Sequence, residues 1–137
     1  RRHHLRRPSD LARVRLLHDE SIRRAGRPPT WTEWLAAAGT KVPELQCGLF
    51  LDDGHLALQA ACAGQGVALG RMAYAMDDLS HGRLVLPFPQ VLELDLHYHL
   101  SVPVVRAQEP PIAKFREWLL AEAEAFRSEL AGRARAA

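Results

Sequence analysis

Cysteine is scarce in this sequence: Cys47 and Cys62 are the only two in 137 residues, and they form no CxxC. A secreted domain of this size stapled by disulfides needs more of them. The chain therefore reads as a protein of the reducing cytoplasm whose two thiols act as small hydrophobes in apolar surroundings. Long apolar runs are also absent. No stretch approaches the roughly 18 residues of a membrane span. No basic segment leads into an apolar core, so neither a membrane-embedded chain nor a signal peptide is expected. The chain opens on Arg1 rather than Met, and we expect it to be a piece of a longer protein. Catalytic signatures are missing as well: there is no GxSxG elbow, no HExxH and no Walker loop.

What is present is ordinary globular composition, 47% hydrophobic and 25% charged, with nine Gly and nine Pro. That excludes collagen-like, low-complexity and wholly disordered chains. The length suits about one domain. A net charge of +2 hides an asymmetry, because residues 1–27 carry nine Arg against Asp10, Asp19 and Glu20. The arm has no interleaved aromatics, and Arg recurs along the whole chain. A solvated basic connector over residues 1–12 is therefore favoured over a nucleic-acid grip.

Local patterns divide the rest. Val14 to His18 is a short apolar run that reads as a strand. Thr30 or Thr32 caps a helix over 31–38, stopped by Gly39, with Trp31, Trp34, Leu35 and Ala38 on one buried stripe. Cys47 to Leu51 is strand-length, Asp52-Asp53-Gly54 can turn and cap, and His55 to Ala63 is a helix dense in Ala and Leu. Gly64 suits the left-handed position after it. Residues 66–70 form a buried strand, which completes a compact βαβ unit with parallel strands. A short helix over 71–79, a turn at 81–83, and strands at 84–86 and 96–102 follow. Pro110-Pro111 then opens a long amphipathic helix over 110–130, with Gly132 as its stop.

Weighed one by one, most candidate sites read as structural. Gly64 to Gly70 is GxGxxxG and opens a strand after a helix, the reverse of a phosphate cradle. His97 and His99 share a strand face and His3-His4 are adjacent, but a metal needs three or four convergent ligands, so no metal and no cofactor are expected. His18 ends an apolar strand. It reads first as a core histidine bonded to a carbonyl and second as a ligand group, since strand C-termini are where α/β sheets meet ligands. Asp77-Asp78 cap or solvate a turn. The start of the 55–63 helix is the strongest candidate, because its unpaired N–H groups and partial positive charge lie at the C-terminal edge of the preceding strand. Asp52 and Asp53 would meet a ligand there, or simply cap the helix.

The residues resemble a known family. Asp10-Leu11, Leu16-Leu17-His18-Asp19-Glu20-Ser21, Trp31-x-x-Trp34-Leu35-x-x-Ala38-Gly39 and Phe50-x-Asp52-Asp53 look like a LysR-type transcriptional regulator. So do the string from Leu56 to Gly70, Gly82-Arg83-Leu84-Val85, and the closing segment from Pro110 through Phe115, Trp118 and Leu119 to Ala123. The subgroup it is most similar to is that of the glycine-cleavage-system activator, over roughly residues 8 to 126.

That resemblance implies an α/β effector-binding domain of the type 2 periplasmic-binding-protein fold, with a parallel or mixed sheet flanked by helices. On this basis residues 13–98 are its second lobe, and residues 99–137 supply a return strand, a helix of the first lobe and a frayed tail. A winged helix-turn-helix outside this chain would bind DNA. The resemblance further implies a bacterial, cytoplasmic homo-oligomer that is not an enzyme. It places a small-molecule effector between the lobes, facing Leu51, Asp52, Asp53, Gly54 and Val67, with His18 added from its strand-end position. Two carboxylates before the helix point to an amino acid or amine-bearing effector. A free-standing solute-binding module is the alternative.

Overall fold

A computed structural model describes residues 5–21, 30–40, 48–93 and 97–136. His3, His4 and Cys47 lie outside the described residues. The chain divides into two compact units, residues 1–94 and 95–137.

The first unit is built on a parallel three-stranded sheet. Its strands are β1 (Leu16–Asp19), β2 (Gly48–Leu51) and β3 (Val67–Ala68), in the order β2-β1-β3. Leu16 pairs with Gly48 on one side and Val67 on the other, and Asp19 with Leu51. The strands expected at 47–51 and 66–70 are thus parallel, but they are not neighbours, because β1 lies between them. The helix α2 (Gly54–Cys62) links β2 to β3 and packs on all three strands. The close approach of β2 to β1 requires a residue without a side chain at 48, since a Cβ there would collide with the Leu16 carbonyl oxygen and the His18 ring.

Side chains alternate across a strand, so Leu16 and Leu17 serve opposite faces. Both are buried, as a strand covered on both sides demands. On the Leu16 face sits a cluster of Leu11, Leu16, Trp31, Trp34, Leu35 and Phe88. Three of these come from α1 (Trp31–Ala37), whose start is fixed by a reciprocal cap. Thr30 Oγ1 accepts from the Glu33 N–H, and the Glu33 carboxylate accepts from the Thr30 N–H at 2.7 Å. Both indoles find acceptors. Trp31 Nε1 donates to the Leu17 carbonyl at 3.3 Å and Trp34 Nε1 to the Gln90 carbonyl at 3.2 Å. The second bond straps the 87–93 segment onto α1, with Phe88 against Trp34 at 5.7 Å between ring centroids. On the other face Ala57 and Leu58 of α2 are buried, as are Ala75 and Met76 of α3 (Met72–Ser80). Gly39 and Gly64 take the positive φ expected of helix stops, 66° and 72°.

Several expectations are corrected. Near the expected connector, Pro8–Arg13 forms a 3-10 turn that sets Leu11 in the core, with Leu5 packed against it. No strand forms at 84–86. The Arg83 and Leu84 N–H groups turn back to the Asp78 carbonyl, Val85 and Leu86 are exposed, and Pro87 and Pro89 bring no donor. No ladder forms over 97–102, where Tyr98 and Leu100 are exposed. Alternation there has no neighbouring strand to register against. Cys62 does not sit in an apolar pocket but is exposed, on the last turn of α2.

The second unit, described by itself, contains a 3-10 turn at Val104–Arg106 and α4 (Pro110–Ala136). Arg106 forks onto Glu109, Nε and Nη2 donating at 2.8 and 3.0 Å to its two oxygens. α4 runs 27 residues, about 40 Å, so Gly132 does not end it. One glycine costs a helix only about 1 kcal/mol. Phe115, Trp118 and Leu120 are exposed on it.

His18 lies on the Leu16 face, its ring stacked on Phe50 at 4.4 Å between centroids and 12° between planes. Its Nε2 is buried and has no hydrogen-bond partner among the described residues, so the bonded core histidine read from the sequence is not what forms. Burial holds the imidazole below its ordinary value of 6.5, with the Glu20 carboxylate opposing that shift. A depressed histidine value means the unfolded chain binds the extra proton first. Stability is therefore full above pH 6.5 and is lost as pH falls through 6.5 toward the folded value. Urea midpoints measured at about pH 7.5 and about pH 5.5 should fall on acidification, and His18→Phe should shrink that fall. Leu35→Ala, at a side chain 1% exposed, should destabilise by about 2–5 kcal/mol in the same urea melts.

Candidate functional site at the C-terminal edge of the sheet

Parallel strands all end on one edge, and open α/β sheets place their ligands there. At this edge β2 finishes with Leu51, opposite Asp19 of β1. Asp52 and Asp53 then turn the chain into α2. Asp53 is the N-cap, with extended backbone angles of −145° and 142°, and its Oδ1 accepts from the His55 N–H at 2.6 Å. That bond satisfies one of the orphan donors at the helix start and contributes about 1 kcal/mol. Asp52 is exposed beside it. Gly54, the first helical residue, has no room for a larger neighbour, since a Cβ there would lie 2.7 Å from Asp19 Oδ2.

Of the six residues singled out from the sequence, Leu51, Asp52, Asp53 and Gly54 gather at this edge. The other two fall elsewhere. Val67 pairs with Leu16, three residues before the end of β1, and packs against the tryptophan cluster. His18 projects to the face opposite Asp19, against Phe50.

Sequence reasoning missed the polar group that holds the edge together. Asp19, whose side chain is 7% exposed, accepts at Oδ1 from the Ser21 N–H at 2.9 Å and from the Ser21 hydroxyl. Its Oδ2 faces Arg71 Nη2 at 3.4 Å. The same Nη2 donates to Ser21 Oγ at 3.2 Å, and Nη1 reaches the Tyr74 hydroxyl at 3.5 Å. The guanidinium lies 5.2 Å from the centre of the Tyr74 ring, and His55 stacks on that ring at 4.2 Å. A buried carboxylate is costly unless paired and hydrogen-bonded, and here both conditions are met. Nothing local to either residue marks the pair: Asp19 ends β1 and Arg71 follows Gly70 just beyond β3, and only the parallel pairing of these strands brings them to one edge.

A second charged group caps the far end of α3. Arg83 pairs with Asp77 and Asp78, and His81 Nδ1 approaches Asp77 at 3.2 Å. The Arg83 hydrogen bond holds Asp78 below the usual carboxylate range. Partial desolvation at the exposed Cys62, followed by the Asp78 charge, pushes its thiol above the ordinary value. Asp77 and Asp78 thus do cap a turn. His97 and His99 are exposed, with ring centroids 6.4 Å apart. Among the described residues no three His, Cys, Asp or Glu side chains converge to hold a metal ion. The strand edge therefore offers N–H donors, carboxylates and a guanidinium, which is the chemistry of non-covalent recognition.

Comparison with known proteins agrees with this architecture. The family model for the LysR substrate binding domain matches residues 1–124. A glycine cleavage system transcriptional activator of Escherichia coli is 37% identical over 121 residues, 88% of this chain and 38% of that protein. The HTH-type transcriptional regulator TrpI of Pseudomonas aeruginosa is 34% identical over 119 residues, 87% of this chain and 37% of that protein. The HTH-type transcriptional activator AmpR of Providencia stuartii is 37% identical over 108 residues, 79% of this chain and 36% of that protein. The chain thus spans little more than a third of the length of these curated relatives. No solved structure gives a significant match. Among the described residues, no helix is long and apolar enough to cross a membrane. The α/β arrangement is of the periplasmic-binding-protein-like kind, and the chain belongs to the LysR substrate-binding domain family.

Proposed function

We propose that this chain is the effector-binding part of a LysR-type transcriptional regulator and that its strand edge receives a small molecule. The observation that carries this reading is the start of α2, aimed off the C-terminal edge of parallel strands and flanked by Asp52 and Asp53. Leu51, Asp52, Asp53 and Gly54 form the receiving surface, with His18 and Val67 behind it. Residues 13–98 act as one lobe, and residues 99–137 return to a lobe that lies outside this chain. The exposed Phe115, Trp118 and Leu120 of α4 supply apolar surface for that return.

The effector binds one closure state of the two lobes better than the other and so shifts a homo-oligomer between arrangements. Only that difference in affinity does the work. DNA is read by a winged helix-turn-helix beyond this chain, and no residue here performs catalysis. Relatives named as transcriptional activators and regulators support this role.

The charge at the edge selects the ligand. Asp53 is engaged by the His55 N–H, and the exposed Asp52 beside it sets negative charge at the edge, which favours a cationic or donor group. An amino acid or amine-bearing effector fits. A plain dicarboxylate faces like-charge repulsion. Titrating the intact regulator with amino acids, polyamines and dicarboxylates should show binding to an amine-bearing member, weakened roughly tenfold or more by Asp52→Ser. Tight dicarboxylate binding that survives Asp52→Ser would defeat the reading. In a gel shift, the isolated chain should not distinguish operator from scrambled DNA.

A further inference from the structure

Arg71 reaches two side chains that are remote from it in sequence, and one, Tyr74, that is near. Its contacts with Asp19 and Ser21 span 52 and 50 residues. One guanidinium therefore joins three elements at the strand edge: the exit of β1 through Asp19 and Ser21, the start of α3 through Tyr74, and, by way of Asp19 and Tyr74, the start of α2. The link to α2 is steric and aromatic. Gly54 abuts the Asp19 carboxylate so closely that a Cβ would stand 2.7 Å from it, and His55 stacks on Tyr74 at 4.2 Å. If Asp19 moves, the wall against which α2 begins moves with it.

The bonds that Arg71 makes are long for charge-assisted ones, at 3.2 to 3.5 Å, and its side chain is 34% exposed. No single bond is strong. What matters is the fork, since a planar guanidinium with several donors can reach Asp19, Ser21 and Tyr74 at once, whereas a lysine ammonium is a single point.

We propose that Arg71 is a positioning residue of this edge: by bridging Asp19, Ser21 and Tyr74 it holds the exit of β1 and the starts of α2 and α3 in one fixed arrangement. This rests on the effector-site reading for its functional meaning, because preorganised N–H donors bind a ligand more tightly than donors that must first be ordered. Its consequence is local. Loss of the bridge loosens the edge while the tryptophan cluster, built on the other face, holds the unit together.

Amide hydrogen exchange on the full-length protein separates local opening from global unfolding, and it needs no effector. A failure here would therefore leave the ligand titration standing, and the reverse also holds. Three amides report on the edge: Ser21 to Asp19 Oδ1, Ala57 to the Asp53 carbonyl and Ala75 to the Arg71 carbonyl. Two report on the rest of the unit: Ala38 to the Trp34 carbonyl and Val67 to the Arg15 carbonyl. Arg71→Gln should speed exchange at the first three by roughly threefold to tenfold and leave the other two unchanged. Asp19→Asn, a near-isosteric change, should give the same pattern, and Arg71→Lys should fall between Arg71→Gln and the native protein. Equal acceleration at all five amides, which a merely stabilising residue would give, overturns the proposal, and so does unchanged exchange at the edge.

Discussion

The decisive constraint is the position of β1 between two strands that come from the far side of a helix. Because β1 is central, both Leu16 and Leu17 must be buried, one in each layer. Asp19, two residues on from Leu17 and on the same face, is largely withdrawn from solvent and must find partners inside. Its partners, Ser21 and Arg71, are what a half-dry carboxylate needs, namely a neutral donor and a cation. The polar chemistry at the strand edge is thus a consequence of where the hydrophobic sheet places its middle strand. Gly48 is part of the same constraint, since β2 could not otherwise approach the Leu16 carbonyl.

How far the sequence discloses this depends on range. Features set by neighbours three or four residues apart were legible. Trp31, Trp34 and Leu35 were readable as a buried stripe, Thr30 as one of two possible caps, Gly39 and Gly64 as stops, and the carboxylate before α2 as a capping group. Each is fixed by helical periodicity or by an orphan N–H within one turn. Features set by pairing across the chain were not. The βαβ pattern showed β2 and β3 to be parallel but carried no sign that β1 separates them, because nothing local to 47–70 records a strand at 16–19. For the same reason Arg71 looked like a residue at the start of a helix, and Asp19 like one of three acids offsetting a basic arm.

The expected strands at 84–86 and 96–102 failed in an instructive way. Alternating or continuous apolar residues describe a segment suited to a sheet, but a strand exists only where a neighbouring edge accepts its ladder. At 84–86 the Leu84 donor, like that of Arg83 before it, is claimed by the Asp78 carbonyl, and the proline at 87 forecloses extension. The nearby Phe88 and Gln90 are held instead by Trp34 of α1. Local hydrogen bonds that are short in sequence win where the long-range partner is missing. Cys62 fails for a related reason. Its neighbours in sequence are apolar, yet helical geometry turns it to the outer face, beside Asp78 rather than the sheet.

The acids near the strand edge differ in what the fold does with each. Four carboxylates cluster in sequence around the edge: Asp19, Glu20, Asp52 and Asp53. Taken from the sequence alone they make one undifferentiated negative patch. The fold sorts them. Asp53 accepts the His55 N–H and offsets the partial positive charge at the start of α2. Asp19 is buried against Ser21 and Arg71, so its charge is neutralised on the inner side. Glu20 acts on the imidazole of His18, raising its affinity for a proton against the effect of burial. Asp52 is the exposed carboxylate standing next to the helix start. Under the proposed function a cation arriving there meets this charge, whereas an anion meets like-charge repulsion. Arg71 serves the inner acid of the edge: its guanidinium pairs with Asp19, whose side chain is 7% exposed.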